Sequence, residues 1–393
     1  MSVHRQRFLR QTLDDLHCQF KQIGMELFEL DGELSQQSLF WSKLERAKVQ
    51  ISIVCEHIAA PEELVEIAAL RRLGYEVHTH WQSTLYDPMI FGSELVQMPD
   101  QFTTFRQQIE HRSLLARDVV APQLSASSTD DDAYFSAVLA AATQATTVNA
   151  ETFSGDARSS FPYWQHQFHG GSRAGLAHVR TYFSTDLAHH YKDTRNQLFG
   201  IDFSTKFSPW LASGAISASQ IVAALHAFEE AQGQSKSSYW IWFELLWRDY
   251  FRFLHCKYGA QLYRVRGLSP AAVSTRAFDS EQFHRWSQGQ TGEPLIDAAM
   301  RELRVTGYLS NRLRQQVFSY WLHELAGDWR VGAAWFESQL LDYDVYSNQG
   351  NCLYLAGLGT DPRGYSGGRW FDPQKQAQQH DADGSYRRRW NTI

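Results

Sequence analysis

Two oppositely charged residues lie in the middle of a strongly apolar stretch of the sequence. Residues 239–255 (YWIWFELLWRDYFRFLH) predict a helix that is apolar on nearly every face and therefore buried. Within it, Glu244 and Arg248 stand four positions apart on one face, with Trp247 beside them. Because a buried charged pair is costly without polar surroundings, this arrangement indicates that something polar docks there.

A hydroxyl-rich turn precedes another predicted helix, in the sequence STKFSPWL (204–211). Thr205 and Ser208 flank the expected helix start, where backbone N–H groups lack partners within the helix. Such a turn can bind an anion such as a pyrophosphate. The same residues can also form an ordinary cap of the helix N-terminus, and the local sequence leaves both interpretations open.

Two arginines stand close together in NRLRQ (311–315). A guanidinium group binds phosphate well, so Arg312 and Arg314 are candidates for an anion site. They can also belong to the solvated face of a helix.

Two acids, several amides and a glycine interrupt an apolar neighbourhood in LDYDVYSNQGNCLY (341–354). Asp342 and Asp344 could present acceptors to a ligand. The alternatives are that this acidic pair binds Mg²⁺ or that it caps helices.

The elements that must position these residues fall into two groups. The first part of the chain predicts helices over 7–23 and 61–73 and strands over 25–28, 51–54 and 75–80. Alternation of this kind is typical of an α/β domain with a parallel sheet. Long helical patterns dominate from residue 170 onward and predict an all-α domain.

A stretch rich in Ser, Thr, Asp and Ala separates the two groups and predicts a linker. We therefore expect an α/β domain over 1–120, a linker over 121–150 and a helical domain over 151–393. A chain of 393 residues with 43% hydrophobic residues can form two domains with substantial cores.

Composition indicates the cellular compartment of the protein and excludes some classes of partner. The four cysteines form no CxxC pair, which argues against zinc and against a secreted disulfide framework. No apolar stretch reaches the length of a membrane span, so we expect a cytosolic protein without a membrane partner.

Charge is unevenly distributed along the chain. Residues 1–150 hold 12 Lys and Arg against 20 Asp and Glu, whereas residues 151–393 hold 25 against 23. Eleven of the thirteen tryptophans also follow residue 150. We expect any anionic partner, and any base-stacking or redox-active aromatic residue, to belong to the second part.

Eight segments, taken together and in order, resemble the photolyase/cryptochrome family over nearly all of residues 150–393. They are GGSRAGLAHVRTYF (170–183), YKDTRNQLFG (191–200), STKFSPWLASGAIS (204–217), FELLWRDYFRF (243–253), TGEPLIDAAMRELRVTGYLSNRLRQ (291–315), DWRVGA (328–333), LDYDVYSNQGNCLYLAGLGTDPR (341–363) and FDPQKQA (371–377). Gln315, Tyr354 and the form of the last two segments resemble the DASH branch.

The resemblance implies a helical domain that binds FAD in a folded, U-shaped conformation. In the family, a hole above the cofactor admits a pyrimidine dimer that has flipped out of the DNA. The residues that match the family's cofactor site are Tyr191, Thr205, Lys206, Phe207, Ser208, Leu211, Glu244, Arg248, Asn311, Arg314, Asp342, Asp344 and Asn348. Among them, Asn348 matches the residue that faces flavin N5, where a neutral amide suits more than one protonation state.

The resemblance also implies light-driven repair of cyclobutane pyrimidine dimers in DNA. Glu244 would hydrogen-bond the pyrimidine edge, Trp247 and Tyr354 would stack on the dimer, and Arg312 would contact the flanking phosphate. Reduced flavin passes one electron to the dimer and recovers it, so no catalytic triad is expected. Because extrusion costs least from a single strand, we expect single-stranded substrate.

Two departures from the family pattern bear on this function. Cys352 stands where the family has the tryptophan nearest the flavin, whereas the next electron-transfer residue, Trp329, is retained. We therefore expect slow photoreduction of the flavin through the family's tryptophan chain. Trp242 and Trp335 are candidates for an alternative electron-transfer path.

The second departure is at the start of the chain. Residues 7–16 resemble a family helix that normally follows two strands, so we expect a partial sheet that lacks the first two strands. The position that commonly holds a folate antenna falls at Ile58, and we therefore do not expect methenyltetrahydrofolate to bind.

The sequence thus leads to a main hypothesis and two rivals. The main one is an FAD-dependent lyase for pyrimidine dimers that acts as a monomer. The rivals are a cryptochrome-like flavin photoreceptor that binds nucleic acid without repair, and a flavin-poor binding module.

Overall fold

The computed structural model describes residues 1–30, 32–46, 51–114, 116–119, 155–271, 278–361 and 367–391. The linker predicted over 121–150 lies outside the described residues.

The N-terminal part alternates helices with two strands, as the sequence predicts. Its elements are α1 (Val3–Gln22), α2 (Ser38–Arg46), β1 (Ser52–Glu56), α3 (Pro61–Arg72), β2 (Glu76–His80) and α4 (Phe102–His111). Helix α3 begins with Pro61, whose fixed φ suits the first helical position, and has Glu62 and Glu63 in its first turn, where acidic groups favour the helix dipole.

The two strands pair in parallel, with Ser52 opposite Glu76 and Glu56 opposite His80. A small core beside them contains Leu44, Ile67 and Leu70. The fold class predicted for this part, an α/β arrangement with a partial parallel sheet, is confirmed. The strand predicted over 25–28 is wrong: that segment has no ladder partner among the described residues, and it forms no strand.

The remainder of the described chain is helical. Its helices are α5 (Ser172–Phe183), α6 (Leu187–Thr194), α7 (Ser208–Ala212), α8 (Ala218–Gln232), α9 (Lys236–Tyr258), α10 (Ser280–Ser287), α11 (Pro294–Thr306), α12 (Asn311–His323), α13 (Trp329–Gln339), α14 (Val345–Ala356), α15 (Pro373–His380) and α16 (Ser385–Asn391). None of the helices in these described ranges is long and apolar enough to cross a lipid bilayer.

Helix α9 is the apolar helix predicted from residues 239–255, and it runs through the centre of the fold. A capping box between Ser235 and Ser238 fixes its start. Helix α14 crosses it closely at Gly350, where an added Cβ would lie 2.1 Å from the ring of Phe251. Only glycine permits this approach, which brings the polar residues of the two helices together.

The N-terminal part docks onto the same two helices. The amide of Tyr86 donates to Asp249 of α9 at 3.1 Å, and the amide of Ala59 donates to the hydroxyl of Tyr346 of α14 at 2.8 Å. One hydrophobic core contains buried residues of both parts, including Phe105 and Tyr250. The α/β part and the helical part are therefore packed directly on each other.

Candidate functional site

A cavity of about 570 Å³ opens between α6, the 203–208 turn, α9 and the start of α12, with α14 opposite. This volume lies in the usual range for sites that bind small molecules and cofactors, about 300–1,000 Å³. The cavity brings together every residue that the sequence assigns to the cofactor site and to the DNA contacts. Residues separated by as many as 163 positions, from Tyr191 to Tyr354, thus line the same cavity.

The 204–211 turn does not cap its helix in the ordinary way. Helix α7 has only five residues, and no side chain caps its start. The hydroxyl of Ser208 instead donates to Asp342 at 2.7 Å. The capping alternative is therefore wrong, and the hydroxyls of Thr205 and Ser208 line the cavity.

Lys206, in the same turn, is buried at 2% exposure. Its ammonium group lies 3.3 Å from the ring centroid of Phe203, and no described residue accepts a hydrogen bond from it. Burial drives the pKa of Lys206 well below its ordinary value. A lysine without a hydrogen-bond acceptor on a cavity wall suits an anionic ligand, so the wall fits a phosphate-bearing group.

Arg314 and Asp342 form an ion pair on the cavity wall. One guanidinium nitrogen donates to both carboxylate oxygens, at 2.9 and 2.8 Å, and a second donates to the carbonyl of Leu309 at 2.8 Å. The Asp342 side chain is 1% exposed. Arg314 is therefore a structured part of the site and does not belong to a solvated helix face.

Asp344 is both a helix cap and one half of a buried ion pair. It accepts from the amide of Ser347 at 2.8 Å, at the start of α14, and from Arg252 at 2.9 Å. Burial opposes its ionisation, but Arg252 and Arg248 outweigh that effect and lower the pKa of Asp344 to about 2. The capping alternative is thus correct for Asp344, which lines the cavity as well.

No group of metal ligands accompanies these acids. Among the described residues, no cluster of three or more His, Cys, Asp or Glu side chains could hold a metal ion. Asp342 and Asp344 are each satisfied by an arginine, so the magnesium alternative receives no support from their contacts.

Glu244 and Arg248 do not pair with each other. Glu244 forms an ion pair with Arg195, which follows α6, whereas Arg248 donates to the backbone carbonyls of Ser83 and Leu211. Both residues line the cavity, where a polar ligand could dock as the sequence predicts. Burial raises the pKa of Glu244 and lowers that of Arg248 to about 10.

Trp247 and Tyr354 form an aromatic corner of the cavity. Their rings meet edge to face at 6.2 Å, and the guanidinium of Arg369 lies 4.0 Å from the ring centroid of Tyr354. Arg369 is paired with Asp361 at 2.9 Å. The corner therefore presents π faces and a basic group to whatever enters the cavity.

Arg312 lies on the cavity wall near Arg195. It donates to the side-chain oxygen of Asn196 at 2.8 Å, and its Nε has no partner among the described residues. Asn311, the first residue of α12, lines the cavity too. Neither Arg312 nor Arg314 lies on a purely solvated face.

Asn348 and Cys352 lie one helical turn apart on α14, and both line the cavity. Asn348 donates to the carbonyl of Ala333 at 3.2 Å, and the thiol of Cys352, which is 2% exposed, lies 4.0 Å from the Asn348 amide oxygen. Burial raises the pKa of Cys352, so the thiol stays protonated near neutral pH.

The three tryptophans predicted to take part in electron transfer do not line the cavity. Trp329 is buried and donates to the carbonyl of Val265, Trp242 donates to the hydroxyl of Tyr86, and Trp335 packs against Phe283. None of the three lines the cavity, and Trp247 is the tryptophan that does so among the described residues.

Sequence reasoning missed several residues of the site. Arg195, Arg252 and Tyr308 carry charge or a ring next to predicted members, but none was assigned a role. Arg252 had a detectable signal, since it lies eight residues after Glu244 and four after Arg248 on the same helical face. The signal for Arg195 was only its place in the segment YKDTRNQLFG (191–200), which resembles the family.

Comparison with known proteins gives consistent results along the chain. Residues 240–392 match the family described as "FAD binding domain of DNA photolyase", and residues 1–124 match the family described as "DNA photolyase". The chain is 39% identical over 392 residues to the Cryptochrome DASH of Idiomarina loihiensis. The aligned region covers 99% of this chain and 82% of that protein.

Solved structures show the same fold. The crystal structure of a Synechocystis sp. cryptochrome matches with a TM-score of 0.81 at 35% identity, over 99% of this chain and 78% of that chain. A class III photolyase from Agrobacterium tumefaciens matches with a TM-score of 0.73 at 22% identity, over 98% and 77% of the two chains. The second likeness concerns the fold alone.

Proposed function

Because the chain belongs to the photolyase/cryptochrome family, resembles its DASH branch and has its FAD-binding domain, we propose that it repairs cyclobutane pyrimidine dimers in blue light. The observation that carries the proposal is the composition of one cavity. Its lining includes a buried lysine, Lys206, whose ammonium group has no hydrogen-bond acceptor among the described residues, and the Arg314–Asp342 ion pair. Glu244, Trp247 and Tyr354 line the same cavity. This combination suits a cofactor with anionic groups and a planar, stacking substrate.

FAD fits the residues present. We assign its phosphates to Thr205, Lys206 and Ser208, because hydroxyls favour an anion, as does an ammonium group that donates to no acceptor in the described part of the chain. The remaining cavity residues Tyr191, Phe207, Leu211, Arg248, Asn311, Arg314, Asp342, Asp344 and Asn348 would bind the rest of the cofactor. The ion pairs Arg314–Asp342 and Arg252–Asp344 would hold the wall in one conformation before the cofactor arrives.

Bound reduced FAD would supply, on excitation, one electron that opens the two bonds of the cyclobutane ring and then returns to the cofactor. The side chains supply binding and orientation only. Asn348 would present a neutral amide to the cofactor ring, and the protonated thiol of Cys352 beside it adds no charge. A neutral amide and a neutral thiol leave the reduced ring free to remain anionic.

The dimer would enter from the side of Glu244, Trp247 and Tyr354. Trp247 and Tyr354 offer ring surface for stacking, which contributes about 1–3 kcal/mol per base in single-strand binding proteins. Glu244 is 31% exposed at the side chain, so its carboxyl group can reach a pyrimidine edge. Arg312, whose Nε has no hydrogen-bond partner among the residues that the structure describes, would contact the flanking phosphate.

We infer that single-stranded DNA is the preferred substrate. Extruding bases from a duplex costs a few kcal/mol of lost stacking and pairing, and this cost is lowest for a single strand. The family relation and the cavity support DNA as a partner, and we further propose that the protein acts as a monomer in the cytosol. We also propose that the chain is divided into two domains, residues 1–120 and 151–393, which pack on each other and are joined by a linker over 121–150.

The experiment compares a single-stranded and a double-stranded oligonucleotide, each with one thymine dimer, in blue light. The purified protein is reduced with dithionite, because Cys352 replaces the usual first electron donor. Repair is measured by chromatography of the products. We expect faster repair of the single strand; bound flavin without repair of either strand would contradict the proposal.

A second candidate is a flavin photoreceptor without repair, and the names of the relatives favour it, since they are called Cryptochrome DASH. Cys352 argues against a sensor that depends on photoreduction, because a thiol conducts electrons poorly compared with an indole. The same assay separates the candidates, since the photoreceptor would bind flavin and leave the dimer intact.

A further inference from the structure

The indole of Trp247 is stacked against a phenyl ring from the N-terminal part of the chain. The rings of Trp247 and Phe102 lie 3.7 Å apart between centroids, with an angle of 11° between their planes. Phe102 is the first residue of α4 and is 6% exposed. One face of the indole is thus covered by a buried ring before any substrate arrives.

Phe102 lies on the side of the indole that faces away from the main cavity. Trp247 lines the main cavity and also a second, smaller one of about 80 Å³, whereas Phe102 lines only the smaller one. The indole therefore forms part of the wall between the two cavities. A base that enters the main cavity can stack on one face of Trp247 alone, because Phe102 covers the other.

The edges of the indole are restrained as well. Tyr250 and Tyr354 meet it edge to face at 5.5 and 6.2 Å, and Phe251 lies at 5.4 Å. These three residues belong to α9 and α14. Of the four rings that contact Trp247 here, Phe102 is thus the one that comes from the N-terminal part of the chain. Removing its ring would free the indole to turn into the smaller cavity.

The segment that delivers Phe102 is tied to α9 just before α4 begins. Lys257 donates to the carboxylate of Asp100 and to the carbonyl of Met98, both at 2.7 Å, and the hydroxyl of Tyr258 donates to Asp100 at 2.5 Å. Tyr250 donates to the carbonyl of Asp100. The same helix that carries Trp247 thus fixes the residues that precede Phe102.

We infer that Phe102 is a positioning residue for the dimer: its ring fixes the plane of Trp247, so that the opposite indole face is ready to stack on a pyrimidine. This inference rests on the proposed function. It assigns to the N-terminal part of the chain a share in substrate recognition that acts through Trp247, although none of the described residues of that part lines the main cavity.

The variant Phe102→Leu tests this role, with Phe105→Leu as the matched control. Phe105, on the same helix, is 0% exposed and packs on Tyr250 and Phe253, and no ring contact with Trp247 is found for it among the described residues. Both variants remove one buried ring from α4. The rescue variant Phe102→Tyr keeps the stacked ring.

The assay measures the affinity of the full flavin-loaded protein for a fluorescent single-stranded oligonucleotide by anisotropy. One oligonucleotide contains a thymine dimer and the other is undamaged. We expect Phe102→Leu to weaken binding of the dimer by roughly 2- to 10-fold, the range of aromatic pair energies, without changing the affinity for the undamaged strand. Phe102→Tyr should bind the dimer as the unmodified protein does, and Phe105→Leu should keep the dimer preference.

Three results would overturn the inference. One is an unchanged dimer preference in Phe102→Leu, and another is an equal loss in Phe102→Leu and Phe105→Leu, which would indicate general destabilisation. In both of these the unmodified protein still prefers the dimer, so the proposed function survives. If the unmodified protein itself shows no dimer preference, the proposed function and the inference fall together.

Discussion

Replacing Asp344 by Asn removes a charge from the cavity wall but keeps a helix cap. Asn is as good an N-cap residue as Asp, so the bond from the amide of Ser347 can persist. What is lost is the ion pair with Arg252, whose side chains are 8% and 12% exposed. The variant therefore isolates the contribution of a buried charge to the stability of the fold.

The size of the effect follows from the pKa of Asp344, which falls from the ordinary value of 3.8 to about 2 in the folded protein. At 1.36 kcal/mol per pKa unit, this shift corresponds to about 2 kcal/mol of stability at neutral pH. Because the folded pKa is the lower one, the stabilisation is complete above about pH 4. It is lost as the pH falls through about 2, and about half remains at pH 3.

The assay is urea denaturation of the flavin-free protein, followed by circular dichroism at pH 7 and pH 3. The matched control is Asp328→Asn, which also changes an N-cap aspartate with an arginine partner, but one whose Arg330 is 47% exposed. We expect the control to lose less than about 1 kcal/mol, as exposed pairs do. Equal losses in the two variants, or a loss in Asp344→Asn that is unchanged at pH 3, would refute the reasoning.

Three further predictions concern the cavity. Lys206→Met should raise the stability of the flavin-free protein, since it removes a buried amine without a hydrogen-bond acceptor, yet weaken FAD binding by about 10- to 100-fold, the range for a hydrogen bond to a charged group. Thermal unfolding and titration calorimetry measure the two effects, and a loss in both would contradict this role. Glu244→Gln, which keeps the size of the side chain, should retain flavin but slow repair by about tenfold, since it replaces a charged hydrogen-bond partner by a neutral one; an unchanged repair rate under limiting substrate would exclude Glu244 from dimer recognition. Cys352→Trp should accelerate the loss of oxidised-flavin absorbance in blue light with a thiol reductant, and equal rates in both proteins would show that the thiol position does not limit photoreduction.

Local patterns predicted most of the fold. The apolar run 239–255 predicted α9, and the β-branched residues near 51–54 predicted β1, because burial and strand propensity act on neighbouring residues. The strand over 25–28 failed for a non-local reason. Its sequence is compatible with a strand, but a strand also needs a ladder partner, which the sequence of the segment cannot reveal.

The membership of the site was predictable, but its pairing was not. Motif resemblance selected residues that all line one cavity, apart from Trp329, which was assigned to electron transfer. The partners of those residues depend on tertiary contacts: Glu244 pairs with Arg195 across 49 positions and Phe102 stacks on Trp247 across 145. The spacing along one helix indicated only that Glu244 and Arg248 lie on the same face, since spacing identifies local neighbours and not partners from other elements.

The proposed function requires reduced flavin and light together to split the dimer. The decisive measurement is the repair of a dimer-containing single strand in four parallel reactions, with the flavin reduced or oxidised and with blue light or darkness. We expect repair only with reduced flavin in the light, and many dimers repaired per protein molecule because the electron returns after each turnover. Repair in darkness, or no repair by illuminated, reduced protein that binds the strand, would contradict the proposed function.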